Sequence, residues 1–200
     1  MAKEYSCVRR TKRAFESSLA ALSREKPLNR ITVKMLCEHA HLSRNAFYFH
    51  YEDINNLIAD TENNILNNIL SNFDMLREVG FPKNVRATIV SFIELIDSER
   101  EVCRMLLEHS DSFKEKISEA FCDFYFDYFE EYHGKDNVNR TSFDFFYTFV
   151  SNGFYGLLKH WLDRPDEMTK NELVGLTYVL VKRLIVDDNP DINKLARKDS

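Results

Sequence analysis

Apolar residues recur along this chain mainly at helical spacing. Between Tyr5 and Arg24, Val8, Phe15, Leu19 and Leu22 fall on one face, with Arg9, Lys12, Arg13 and Glu16 opposite, the pattern of an amphipathic helix. Pro27 predicts its end, because the residue before a proline disfavours the α region. Thr32 reads as the N-cap of a short helix from Val33 to about His39, and Ser43 as the N-cap of a second from Arg44 to about Tyr51. Only Ala40, His41 and Leu42 lie between them. Two short helices joined this tightly form a helix-turn-helix. Asp53 then reads as the N-cap of a long helix through Leu57, Ile65 and Ile69, ended by Gly80, with Pro82 in the first turn of the next.

Farther on, Ser98 to Glu101, Ser112 to Glu115 and Thr169 to Glu172 each fit S/T-x-x-E and predict helix starts. Residues 133–140 and 163–166 read as loops. The run Leu173 to Val186 is apolar nearly all round, which predicts burial on more than one face. The whole pattern predicts about nine helices and no strand. Composition agrees. Five Gly and four Pro in 200 residues are too few for an all-β fold, which needs a turn roughly every 8–12 residues.

Charge divides the chain. Residues 1–51 hold ten Lys/Arg against four acids, a formal +6, and the remainder holds 17 against 28, a formal −11. A basic head on an acidic body points to a polyanion as the partner of the head. Cys7, Cys37, Cys103 and Cys122 are widely spaced, with no C-x-x-C, and read as reduced thiols. There is no apolar leader and no membrane-length apolar run, so a cytoplasmic location without membrane contact is expected.

The stretch from Ile31 to Leu57 carries the most specific signal. Thr32, Leu36, Cys37, Ala40, Leu42 and Ser43 lead into Tyr48, His50, Tyr51 and Leu57. On these residues the sequence resembles the DNA-binding region of the TetR family of bacterial transcription regulators, over about residues 5–60. His41 replaces the family's turn glycine, Asn45 replaces a small residue of the recognition helix, and Ile54 stands where many members carry lysine. The residue types support DNA contact independently. A recognition helix presents its N-terminal side chains to base edges, here Arg44 and Asn45, which pair with guanine and adenine respectively. Thr32, Lys34, Ser43, Tyr48 and His50 are expected on phosphates, the resemblance implying this role for Tyr48 and His50. Phe47, Tyr51 and Leu42 are expected in the core.

The body holds 16 of the 26 aromatic residues between Phe113 and Trp161. The resemblance implies a ligand cavity there, for a small apolar or aromatic effector, and Phe121, Tyr125, Tyr147, Asn152 and Tyr155 are its candidate lining. It also implies a homodimer through the last two long helices. Gly153, Gly156, Trp161, Leu176, Leu180 and Leu184 are the candidate interface, the glycines allowing close approach of another helix. Other chemistry is thin. Cys37, His39 and His41 lack a second ligand pair of zinc spacing, and the stripe Asp123, Asp127, Glu130, Glu131 reads as a solvated face.

The expectation is therefore an all-α chain with two parts. Residues 1–52 form an N-terminal three-helix helix-turn-helix DNA-binding domain, and residues 53–200 a larger helical effector-binding and dimerisation domain. The expected function is sequence-specific transcription regulation on a palindromic double-stranded operator, as a repressor released by a small-molecule effector. The alternative is a regulator or activator controlled by a protein partner without a small-molecule ligand. No enzymatic activity, cofactor or metal is expected.

Overall fold

The computed structural model of the chain describes residues 2–79, 85–133 and 139–186. Gly80, Pro82 and most of the loop expected at 133–140 lie outside them. Nine α-helices and no strand are present among the described residues: α1 (Ala2–Ser23), α2 (Val33–Ala40), α3 (Arg44–His50), α4 (Ile54–Val79), α5 (Val85–Ser98), α6 (Arg100–His109), α7 (Asp111–His133), α8 (Arg140–Asp163) and α9 (Lys170–Val181). A short 3₁₀ turn at Leu28–Arg30 precedes α2, and a π-helical turn at Lys182–Val186 follows α9.

The chain forms two compact units. The first comprises residues 1–67 and 99–110, the second residues 68–98 and 111–200. In the first, α1 packs on α2, α3 and α6. Phe15, Leu19, Leu36, Phe47 and Leu57 are fully buried there, which is the apolar stripe of α1 meeting the inward faces of its neighbours. The starts of α2, α3 and α4 follow their caps. Thr32 Oγ1 accepts from the Met35 N–H at 3.3 Å, Ser43 Oγ from the Ala46 N–H at 3.1 Å, and Asp53 Oδ1 from the Asn56 N–H at 2.8 Å.

In the second unit, α5 packs on α9 and α7 on α8. Ile93, Phe113, Phe143 and Leu173 are buried at its centre. Phe143 and Tyr147 stack with ring centroids 6.1 Å apart, and Phe126 meets Phe143 edge-on at 5.1 Å. Thr169 forms a complete capping box with Glu172 at the start of α9.

Two of the three expected helix starts are corrected. α5 runs through Ser98, whose hydroxyl donates back to the Leu95 carbonyl at 2.8 Å, and Glu99 takes the cap position without a side-chain cap bond. The acid of that pattern, Glu101, instead forms a two-point pair with Arg24 at 2.7 and 2.6 Å, so a tertiary ion pair has taken the carboxylate. α7 begins at Asp111, leaving Ser112 inside the helix. The expectation that the last apolar run is buried on more than one face also fails within one protomer. Leu173, Val174 and Thr177 of α9 are buried, whereas Leu176, Val179 and Leu180 are exposed.

Candidate nucleic-acid interface and body cavity

The turn between α2 and α3 determines how α3 is presented. His41 sits in the left-handed region, φ 54° and ψ 38°. Its N–H donates to the Glu38 carbonyl at 3.3 Å, and the Leu42 N–H donates to the Cys37 carbonyl at 3.0 Å. These two backbone bonds make a Schellman closure, with histidine at the position where glycine is the usual residue.

α3 then separates its residues by face. Phe47 is fully buried and meets Phe15 edge-on, centroids 5.4 Å apart. Tyr51, just past the helix, is buried as expected, while Leu42 is only half-buried. Arg44, Asn45 and Tyr48 are exposed, Tyr48 at 58%. Thr32, Lys34 and Ser43 are exposed, and His50 is half-buried. The hydroxyls of Thr32 and Ser43 accept cap bonds, so each keeps its O–H as a donor toward solvent. Lys34 and Glu38 lie 3.8 Å apart on the surface of α2, a pair too exposed to hold the lysine. Burial, aided by nearby Lys12, keeps the His50 imidazole below its ordinary value of 6.5. At neutral pH it is therefore an uncharged donor.

A polar cluster beneath α3 escaped the sequence reading. Asp60 Oδ2 receives the Tyr51 hydroxyl at 3.1 Å and the Lys12 ammonium at 2.9 Å. The same ammonium lies 5.3 Å from the centre of the Tyr51 ring. This ties the end of α3 to α1 and α4. Burial and the adjacent Asp60 push the Tyr51 phenol far above its ordinary range, so it stays protonated and donating. Phe49 was also missed and is 79% exposed, beside His50 at 4.9 Å. The unbroken run of ring side chains from Phe47 to Tyr51 could have flagged it, since a seven-residue helix cannot bury all of its faces.

The second unit holds a cavity of about 360 Å³, partly open where the exposed Phe149, Gly153 and Leu180 line it, within the size range of small-molecule sites, ~300–1,000 Å³. Phe121, Tyr125, Tyr147 and Tyr155 line it, as expected. Asn152 does not: it is exposed, and its amide donates to the Thr148 carbonyl at 2.8 Å. Ile89 and Phe92 of α5, and Thr177 and Val181 from α9, complete walls that the sequence reading did not find. Thr177 had a legible signal, as a polar residue inside an apolar run.

The candidate interface residues divide. Gly153 and Gly156 are exposed, and a Cβ added at either would meet nothing within 4 Å. Leu176 and Leu180 are exposed and Leu184 is half-buried. Trp161 is corrected: it is buried in its own protomer, its indole N–H donating to the Met168 carbonyl at 2.9 Å. Phe145 and Phe149, which the sequence reading did not assign to this face, are 77% and 74% exposed.

Comparison with known proteins agrees with this architecture. Residues 83–183 match the TetR-type family model described as "Transcriptional regulator C-terminal region". None of the curated proteins compared matches the sequence. Among solved structures, the fatty acid degradation regulator FadR from Bacillus halodurans is similar, with a TM-score of 0.66 at 9% identity, over 90% of this chain and 96% of that one. A TetR transcriptional regulator from Streptococcus agalactiae gives 0.57 at 22% identity, over 90% and 98%. The dihydroxyacetone kinase operon activator DhaS gives 0.55 at 11% identity, over 94% and 98%. With its helix-turn-helix, its all-helical body and the match over residues 83–183, this chain belongs to the TetR family of transcriptional regulators.

Proposed function

We propose that the protein is a homodimeric, sequence-specific DNA-binding regulator, a repressor released by a small-molecule effector. Residues 1–52 would carry DNA binding, and residues 53–200 effector binding and dimerisation. The observation that carries this reading is the division of α3: Phe47 is locked into the core, while Arg44, Asn45 and Tyr48 are exposed. Arg44 and Asn45 read base edges. Thr32, Lys34, Ser43, Tyr48 and His50 contact phosphates and set the register.

The open space over Gly153 and Gly156 supports a dimer through α8 and α9, as do the exposed Phe145, Phe149, Leu176, Val179 and Leu180. A two-fold dimer presents two recognition helices to a palindromic operator. The cavity supports the effector, which acts by binding one state of the dimer better than the other. A full switch from 1:99 to 99:1 needs about 5.5 kcal/mol of differential affinity. One covalent path for that coupling runs through α4, whose residues 54–67 belong to the first unit and 68–79 to the second. The cavity also favours effector control over control by a protein partner alone.

Selection of bound fragments from a random DNA pool supplies the operator for the test. Arg44→Ala combined with Tyr48→Ala is expected to abolish the mobility shift of that fragment while the circular dichroism spectrum is kept. Undiminished binding by the double variant would remove α3 from the interface.

A further inference from the structure

The cavity wall in the second unit is specific about the chemistry it can hold. Among the described lining residues none is charged. The wall is mostly aliphatic and aromatic, with a few hydroxyls, and most of these are already engaged. Tyr155 donates to the Lys114 carbonyl at 3.1 Å, and Tyr147 and Tyr155 both hydrogen-bond to Ser118. Ser151 donates to the Thr148 carbonyl at 3.2 Å. Thr177 differs. It is 1% exposed, it lines the cavity, and its Oγ1 has no hydrogen-bond partner among the described residues.

A buried hydroxyl left unpaired is unusual and costly, and a group on a ligand can satisfy it. A buried carboxylate or ammonium, in contrast, would find no counter-charge among these walls and would lose its hydration. The tyrosine hydroxyls cannot supply a charge either, because burial holds Tyr125, Tyr147 and Tyr155 well above their ordinary range and therefore protonated.

We propose that the cavity takes an uncharged, largely apolar molecule bearing one hydrogen-bonding group, and that Thr177 Oγ1 receives that group. This rests on the reading of the cavity as an effector site. Thr177 then sets specificity: it separates a hydroxyl- or carbonyl-bearing ligand from the bare hydrocarbon, and the uncharged walls separate both from an acid.

Displacement of the neutral dye Nile red by naphthol, naphthalene and naphthoate at pH 7 tests this, because the three share one ring system and differ in the polar group. Naphthol is expected to compete best, naphthalene about three- to tenfold more weakly, and naphthoate roughly a hundredfold more weakly or not at all. Thr177→Val should bring naphthol down to the level of naphthalene and leave naphthalene unchanged, while Thr177→Ser should keep the preference. Naphthoate competing as well as naphthol, or a naphthol preference that survives Thr177→Val, overturns the proposal and leaves the effector site standing. Failure of the wild-type protein to take up Nile red or any of the three overturns the effector site itself, and this proposal with it.

Discussion

His41 shows how much a single backbone conformation can carry. The left-handed residue closing α2 costs a non-glycine side chain roughly 1–2 kcal/mol, and a glycine there recovers part of that, less its larger unfolded-state entropy. His41→Gly is expected to raise stability by about 1 kcal/mol, read as a shifted denaturant midpoint. No gain would mean that the imidazole makes a compensating contact. Glu16 offers a second test. Burial holds its carboxyl above the ordinary 4.5; nearby Asp60 and Glu99 add to this, against an Asn64 hydrogen bond and Arg13. The native state therefore keeps this proton longer than the unfolded chain does. Stability contributed by Glu16 is present below pH 4.5, falls as the pH rises through its folded pKa, and stays reduced above it. Glu16→Gln is expected to be more stable than wild type at pH 7, with the gap closing as the pH approaches 4.5. Denaturant midpoints at the two pH values measure it, and a constant gap would contradict the assignment.

Among the elements, two of the similar S/T-x-x-E patterns met different fates because one acid had a competing partner and the other had not. Glu172 is free to return to the Thr169 N–H, which it accepts at 2.8 Å, and α9 starts there. Glu101 is taken by Arg24, and α6 starts without a side-chain cap. Thr169→Ala should therefore lower the thermal midpoint by about 2–4 °C, whereas Ser98→Ala should leave it within a degree or so. Calorimetry on the two variants separates a real cap from a coincidental pattern. α9 also shows why an apolar run does not reveal how many of its faces are covered. Its periodicity is the same whether a neighbour comes from the same protomer or from a second copy.

For the whole molecule, that uncovered face is the one assigned to the proposed dimer. Val179 is 48% exposed and lies outside the cavity wall, so a charge there burdens the proposed dimer without touching the ligand site. Val179→Glu is expected to give monomers in sedimentation equilibrium. Its operator affinity should fall about a hundredfold or more, because each head then binds its half-site alone. A variant that remains dimeric would move the interface elsewhere.

Much of the head was legible in the chain itself. Caps at Thr32, Ser43 and Asp53, a three-residue turn and the ring-bearing run from Phe47 to Tyr51 are local signals, and local backbone hydrogen bonding obeys them. The same locality made Arg44, Asn45 and Tyr48 readable as outward-facing. The tertiary structure alone decided that Lys12 and Asp60 brace Tyr51, that α6 packs on α1, that Trp161 is spent inside its own protomer, and that α5 and α9 supply walls of the cavity. Those arrangements join residues far apart in sequence. They depend on which apolar faces find each other, and helical periodicity states only that a face exists, not what covers it.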